Sequence, residues 1–206
     1  MDYTRELNGH TLEYYDSDHI YLVDGVIVPS ITQFLKIKFG KKYEGIQRDV
    51  LQRASDAGTQ VHDAIERYCK TGEMADLPEV RNFRFLQKQY GFDVIENETP
   101  VILFLNDEPV SAGRLDMVLK MRLGHGESGW SDAIGGADIK RTSALDKDYL
   151  FYQLNLYRIA YRQCYGVEWE FLRGIHLRDN TRKFVQIPIN ENLAWQLVHE
   201  FMEAKK

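Results

Sequence analysis

Val110-Ser111-Ala112-Gly113-Arg114-Leu115-Asp116-Met117-Val118-Leu119-Lys120-Met121 reads as a β-strand with an acid in its middle. Strand pleating sets Leu115, Met117 and Leu119 on one face and Asp116 and Val118 on the other. Asp116 therefore shares a face with an apolar residue, where a carboxylate is costly unless it is paired or holds a cation. On this stretch alone, an edge aspartate hydrogen-bonded to a turn is the favoured reading.

Moving outward, Ala133 to Arg141 reads as the next strand and carries Asp138-Ile139-Lys140. An acid and a lysine two apart share a strand face, while Ile139 turns the other way into packing. The aspartate suits a cation, and the ammonium suits a water or charge building on a phosphate. Further on, Asp148 to Tyr165 has helical spacing, with Gln153 and Tyr157 one turn apart on one face. Both side chains have hydrogen-bonding groups for a phosphate, although Tyr157 also fits an amphipathic core. On the N-terminal side, Arg48 to Lys70 is helical and carries Gly58 and His62, with Glu66 one turn later. Gly58 is expected to break this helix in two or to let a phosphate approach closely. No second histidine or cysteine stands near His62 at zinc-ligand spacing.

The remaining elements frame these motifs. His19 to Val28 holds two β-rich runs around Asp24-Gly25, a hairpin signal. Pro29 stops the strand, and Ser30 or Thr32 caps a short helix through Gln33-Phe34-Leu35. Pro78 to Tyr90 is a helix with a Val80, Phe83, Leu86, Tyr90 stripe that ends at Gly91. Thr99 to Leu105 is a strand closed by a turn at Asn106-Asp107-Glu108-Pro109, and Leu123 to Gly129 is a glycine-rich loop. Trp169 to Leu177 and Phe184 to Ile189 are strands joined at Arg178-Asp179-Asn180-Thr181, and Asn190 caps a last helix ending near Lys206. Helix, three strands, helix and strand in that order predict a mixed α/β sheet covered by helices.

The 206 residues fit a single domain, with an N-terminal extension over about residues 1–45. With 44% hydrophobic and 28% charged residues the chain can bury a real core. No apolar run approaches the ~20 residues that span a bilayer. The N-terminus lacks the apolar stretch of a signal peptide, so the expectation is a cytoplasmic protein without membrane contact. Cys69 and Cys164 are expected to be free thiols, and two cysteines cannot supply the four thiolates of an iron–sulfur cluster. The formal net charge of -5 argues against a protein that simply coats DNA, but not against an enzyme that acts on it.

Together, Gly58/His62, Gly113/Asp116, Asp138/Lys140 and Gln153/Tyr157 resemble the PD-(D/E)XK nuclease superfamily, in its RecB-like and phage-type exonuclease branch. That branch carries a G-x-x-x-H helix, a G-x-x-D strand, a D/E-x-K strand and a Q-x-x-x-Y helix in this order. Tyr21-Leu22-Val23-Asp24-Gly25 followed by Pro29-Ser30-Ile31-Thr32 also resembles the start of phage and mitochondrial-maintenance exonucleases. The likeness covers roughly residues 19 to 178. The chain departs from the pattern in two places: Leu115 rather than proline precedes Asp116, and Asp138 stands where glutamate is commoner.

The resemblance implies a restriction-endonuclease-like core, a central mixed β-sheet flanked by helices, with an N-terminal β-hairpin and helical extension. It implies a metal-dependent DNA exonuclease of recombination or repair, phage- or bacterium-encoded. His62, Asp116 and Asp138, with the Ile139 carbonyl, would hold Mg2+ or Mn2+. Lys140 would position the attacking water, and Gln153 and Tyr157 would support the site. Candidate DNA contacts are Lys36, Lys38, Lys41 and Lys42, in what reads as a mobile loop, together with Arg114 and Arg141. A second basic cluster is Arg173, Arg178, Arg182 and Lys183, and Phe39 and Tyr43 offer stacking surfaces beside the first. A single-strand annealing or recombination protein is a candidate partner, and oligomers fit the pattern. The competing expectation is an inactive nucleic-acid-binding or assembly module on the same fold. A hydrolase of some other phosphoester ranks below both.

Overall fold

Asn8-Gly9 and Asp24-Gly25 both hold positive φ, 51° and 80° in the first pair and 52° and 77° in the second. Two successive left-handed residues make the tight turn whose twist matches its flanking strands. The turns join β1 (Tyr3–Leu7) to β2 (His10–Tyr15) and β3 (Ile20–Val23) to β4 (Val26–Val28). Where the sequence predicts one hairpin, the structure has a four-stranded antiparallel sheet in the order β1-β2-β3-β4. The structure is a computed structural model that describes residues 2–43, 45–124 and 129–204, with only the backbone at Lys42 and Tyr43. The central part of the 123–129 loop and the expected helix end at Lys206 lie outside the described residues.

Ser30 precedes α1 (Ile31–Phe39) in an extended conformation but caps it through its carbonyl, not its side chain. A 3-10 turn follows at Gly40–Tyr43. The lysine-rich stretch expected as a mobile loop is therefore helical. Phe39 is packed edge-on against Tyr149 and Tyr152, so it closes the core margin instead of offering a stacking face.

α2 (Arg48–Thr71) runs unbroken through Gly58 and stops at Gly72, whose φ is 77°. A glycine inside a helix costs about 1 kcal/mol, which 24 residues of amphipathic helix absorb. α3 (Pro78–Tyr90) follows. Then come β5 (Phe92–Leu105), β6 (Glu108–Gly124) and β7 (Trp130–Lys140), all longer than the sequence predicts. α4 (Lys147–Tyr165) crosses to β8 (Phe171–Arg178), β9 (Thr181–Ile187) returns, and α5 (Glu191–Ala204) closes the chain. Asn190 caps α5 as expected, its Oδ1 accepting from the Leu193 N–H.

The second sheet runs β5-β6-β7-β8-β9, antiparallel except for the parallel β7–β8 pair. α1, α4 and α5 bury one face of it against residues such as Val101, Leu115, Val118 and Leu172. α2 and α3 bury the other against Met117, Leu119, Ile139 and Ile175. The fold is thus a mixed α/β sandwich with an added N-terminal sheet. That sheet packs Leu12, Tyr14 and Val23 on Ile102, Phe104 and Ala112. No helix among the described residues is long and apolar enough to cross a membrane.

One detail of register places the site. Leu115 does not share a face with Met117 and Leu119; it packs on the α4 side with Val118. The alternation slips at Asp116 because the β6–β7 ladder ends at Met117↔Ala137. Beyond that pair the two strands fork.

Candidate metal centre and its cavity

The fork leaves the Ile139 N–H of β7 without a ladder partner on β6. The Asp116 side chain takes that place, its Oδ2 accepting from Ile139 N at 2.8 Å. On the other side Asp116 faces Glu98, the β5 residue between the pairs Asn97↔Met117 and Thr99↔Leu115. Glu98 holds φ at 51°, a left-handed conformation that is costly for a glutamate and accumulates at functional sites. Arg114 fixes one end of it, with Nε 2.6 Å from Glu98 Oε2, and the Arg114 guanidinium lies 5.4 Å from the Tyr14 ring centre.

α2 brings His62 over the fork. Its Nε2–H donates to the Ile139 carbonyl at 3.1 Å, while Nδ1 lies 3.5 Å from Asp116 Oδ2 and 3.9 Å from Glu98 Oε1. Burial alone would lower the His62 pKa. The Asp116 charge, a hydrogen bond with Glu98 and the Asp138 charge outweigh it and push the group up to about 9. The ring is therefore an imidazolium at neutral pH, a positive charge set among carboxylates.

His62, Glu98 and Asp116 offer donor atoms within 4.8 Å of one another. Two carboxylates and an imidazole that close together suit one divalent cation, and mostly hard oxygen donors suit Mg2+ or Mn2+. To bind through Nδ1, His62 must give up its proton. Asp138 lies beside this trio, only 2% exposed, with Oδ2 2.6 Å from Lys140 Nζ. Burial and the Asp116 charge raise the Asp138 pKa against the pull of Lys140. Burial lowers that of Lys140, but Asp138 and Asp116 more than reverse it, so the lysine stays cationic.

From α4, Tyr157 donates its hydroxyl hydrogen to the Arg114 carbonyl at 3.0 Å, and its ring fills the space beside Gly113. Gln153 is 5% exposed, and its Oε1 has no partner among the described residues. All of these side chains, with Gly58, line one cavity of about 1050 Å³ bounded by α2, the fork and the N-terminal sheet. Apart from its own helix backbone, no atom of the described residues stands within 4 Å of where a Gly58 Cβ would be, so this glycine opens space instead of admitting a close packing partner.

His62, Asp116, Asp138, Lys140, Gln153 and Tyr157 thus converge as the sequence suggests. The structure adds Glu98. Its signal is Glu96-Asn97-Glu98 just before the expected strand, which, carried back one pleat, sets a carboxylate opposite Asp116. The proposed DNA contacts lie elsewhere or are engaged. Lys36, Lys38 and Lys41 are exposed on α1 and its 3-10 extension, away from this lining, and the Lys42 side chain lies outside the described residues. Arg114 is paired with Glu98, and Arg141 is paired with the buried Glu79 at 2.7 Å. In the later cluster, Arg182 stacks 3.9 Å over Phe85, and Arg173 lies between Phe171 and Phe184.

No protein-family model and no curated protein sequence matches this chain. Among solved structures, the chain is similar to the crystal structure of SSO0001. The identity is 12% and the TM-score 0.46, over 87% of this chain and 77% of that one.

Proposed function

We propose that the chain is a metal-dependent DNA exonuclease with a restriction-endonuclease-like, PD-(D/E)XK core. The observation that carries the reading is the fork between β6 and β7. There an acid (Asp116), an acid–lysine pair (Asp138/Lys140) and an imidazole (His62) from three separate elements line a single cavity.

His62, Glu98 and Asp116 would hold the cation, with Asp138 beside them. A bound Mg2+ or Mn2+ supplies Lewis-acid polarisation of a phosphoryl oxygen and acidifies water. The chain's own residues do the rest. Lys140, kept cationic by two aspartates, orients the water and meets the negative charge that grows on phosphorus. Arg114 holds Glu98 in its left-handed pose, and Tyr157 ties α4 to the strand bearing Asp116. The water's oxygen bonds to phosphorus, and the P–O bond to the leaving nucleotide breaks.

Linear single-stranded and duplex DNA incubated with Mg2+ or Mn2+ tests the reading. Nucleotides should be released by the protein and not by Asp138→Ala or Lys140→Ala. DNA binding without release under either metal would instead identify a binding module.

A further inference from the structure

Two residues that line the cavity each carry a buried polar atom with no hydrogen-bond partner among the described residues: Tyr3 Oη and Gln153 Oε1. Buried polar groups are almost always satisfied, so two orphans at one cavity call for a ligand. They come from different elements, Tyr3 from β1 of the N-terminal sheet and Gln153 from α4.

Tyr3 is held in place by packing, its ring 5.3 Å from that of Tyr14. Tyr14 in turn carries the Arg114 guanidinium that grips Glu98, so this wall stands one side chain away from the metal seat. Burial raises the Tyr3 pKa far above neutrality, which keeps its hydroxyl a donor. On the same strand and bordering the same cavity, Arg5 is exposed and makes no hydrogen bond or ion pair among the described residues. A donor, a free guanidinium and a buried acceptor facing one space beside a phosphate-cleaving centre match the parts of a nucleotide. The space, about 1050 Å³, is close to that of an ordinary ligand cavity and has room for a nucleotide.

We infer that the N-terminal sheet forms a subsite for an unstacked nucleotide at the end of single-stranded DNA. The Tyr3 hydroxyl and Arg5 take its phosphate, and Gln153 Oε1 accepts from its base or sugar. The inference rests on the hydrolase reading for the identity of the substrate, and it assigns to β1 a role that none of the sequence motifs reaches.

The test uses the full chain, Tyr3→Phe and Arg5→Ala, with Ca2+ replacing Mg2+ for binding. The probe is an internally labelled linear single strand; a blunt duplex and a circular single strand serve as competitors. The linear strand should bind more tightly than either competitor. Each variant should weaken it about three- to tenfold while leaving Mn2+ affinity unchanged, and in Mg2+ should raise KM more than it lowers kcat. Variants that bind and cleave like the parent overturn the subsite and leave the hydrolase reading standing, as does a circle that competes as well as the linear strand. Variant-sensitive binding without nucleotide release in Mg2+ or Mn2+ overturns the hydrolase and leaves the subsite. A protein that neither binds nor cleaves DNA overturns both.

Discussion

Gly113 shows why a weak sequence motif has a physical basis. A Cβ built there would meet Tyr157 Cε1 at 3.0 Å, its hydroxyl at 3.2 Å and Ile31 Cδ1 at 3.3 Å. The glycine of the G-x-x-D strand and the tyrosine of the Q-x-x-x-Y helix are thus the two halves of one contact. Gly113→Ala must shift Tyr157 by a few tenths of an ångström against its bond to the Arg114 carbonyl, at a cost of about 1–3 kcal/mol for overpacking. The urea midpoint should fall with the slope unchanged; a midpoint equal to the parent's would show that the ring is free to yield. The thiols also take their behaviour from their surroundings. Burial pushes Cys69 and Cys164 up to about 11, and Cys164 lies within hydrogen-bond reach of both the N–H and the carbonyl of Ile102. The thiolate is the reactive form, and a pKa two units above the ordinary value leaves about a hundredfold less of it at pH 8. Aromatic disulfide reagents should therefore react slowly at pH 8 and faster as pH climbs toward 11. Prompt reaction of both thiols at pH 8 would contradict the burial.

At the scale of elements, what the sequence shows and what it hides divide along physical lines. α2, α3 and α4 are legible because each carries an apolar stripe at helical spacing, and D-x-K and Q-x-x-x-Y are legible because spacing alone fixes a shared face. The start of β5 is hidden because Asp93, Glu96, Asn97 and Glu98 look like loop residues. They become strand only through pairing with β6, across an irregularity between Val94 and Glu96. The face of Leu115 is misjudged for a related reason: period two holds only while the ladder is intact, and this ladder ends one residue past Asp116. Glu98 is the functional consequence. Its left-handed φ turns one carboxylate oxygen toward Arg114 and the other toward His62. Glu98→Gln keeps the length and leaves an acceptor for Arg114, but it removes a charged ligand. Mn2+ affinity measured by calorimetry should drop by at least about tenfold, since even outer partners of metal ligands cost that much. The melting temperature should move little, because one fewer carboxylate beside Asp116 and Asp138 offsets the weakened ion pair. Unchanged Mn2+ affinity would remove Glu98 from the metal seat.

For the whole molecule the question is how a chain of net charge -5 receives a polyanion. The cavity lining makes the question sharper. Among the described residues it holds seven carboxylates, with Asp16, Asp63, Glu66 and Glu96 joining the three acids of the site, against five cations: Arg5, His62, Lys70, Arg114 and Lys140. Four of those five are already spent on Asp116, Glu66, Glu98 and Asp138. A phosphate entering this space without a divalent cation meets net negative charge at short range, where water screens it poorly. Divalent cations should therefore be needed for DNA to bind at all, not only for it to be cut. In fluorescence anisotropy, affinity for a single strand should fall at least about tenfold in EDTA and return with Ca2+. The dependence on monovalent salt should be shallow as well. Each phosphate neutralised by a lysine or arginine contributes about −0.7 to the logarithmic slope for single strands. With Arg5 the one cavity cation left unpaired among the described residues, the slope in Ca2+ should lie near −1. A slope of about −4 or steeper, with tight binding that survives EDTA, would mean that the strand runs over the exposed lysines of α1 or the arginines of the β8–β9 hairpin. The acidic cavity would then receive only its end.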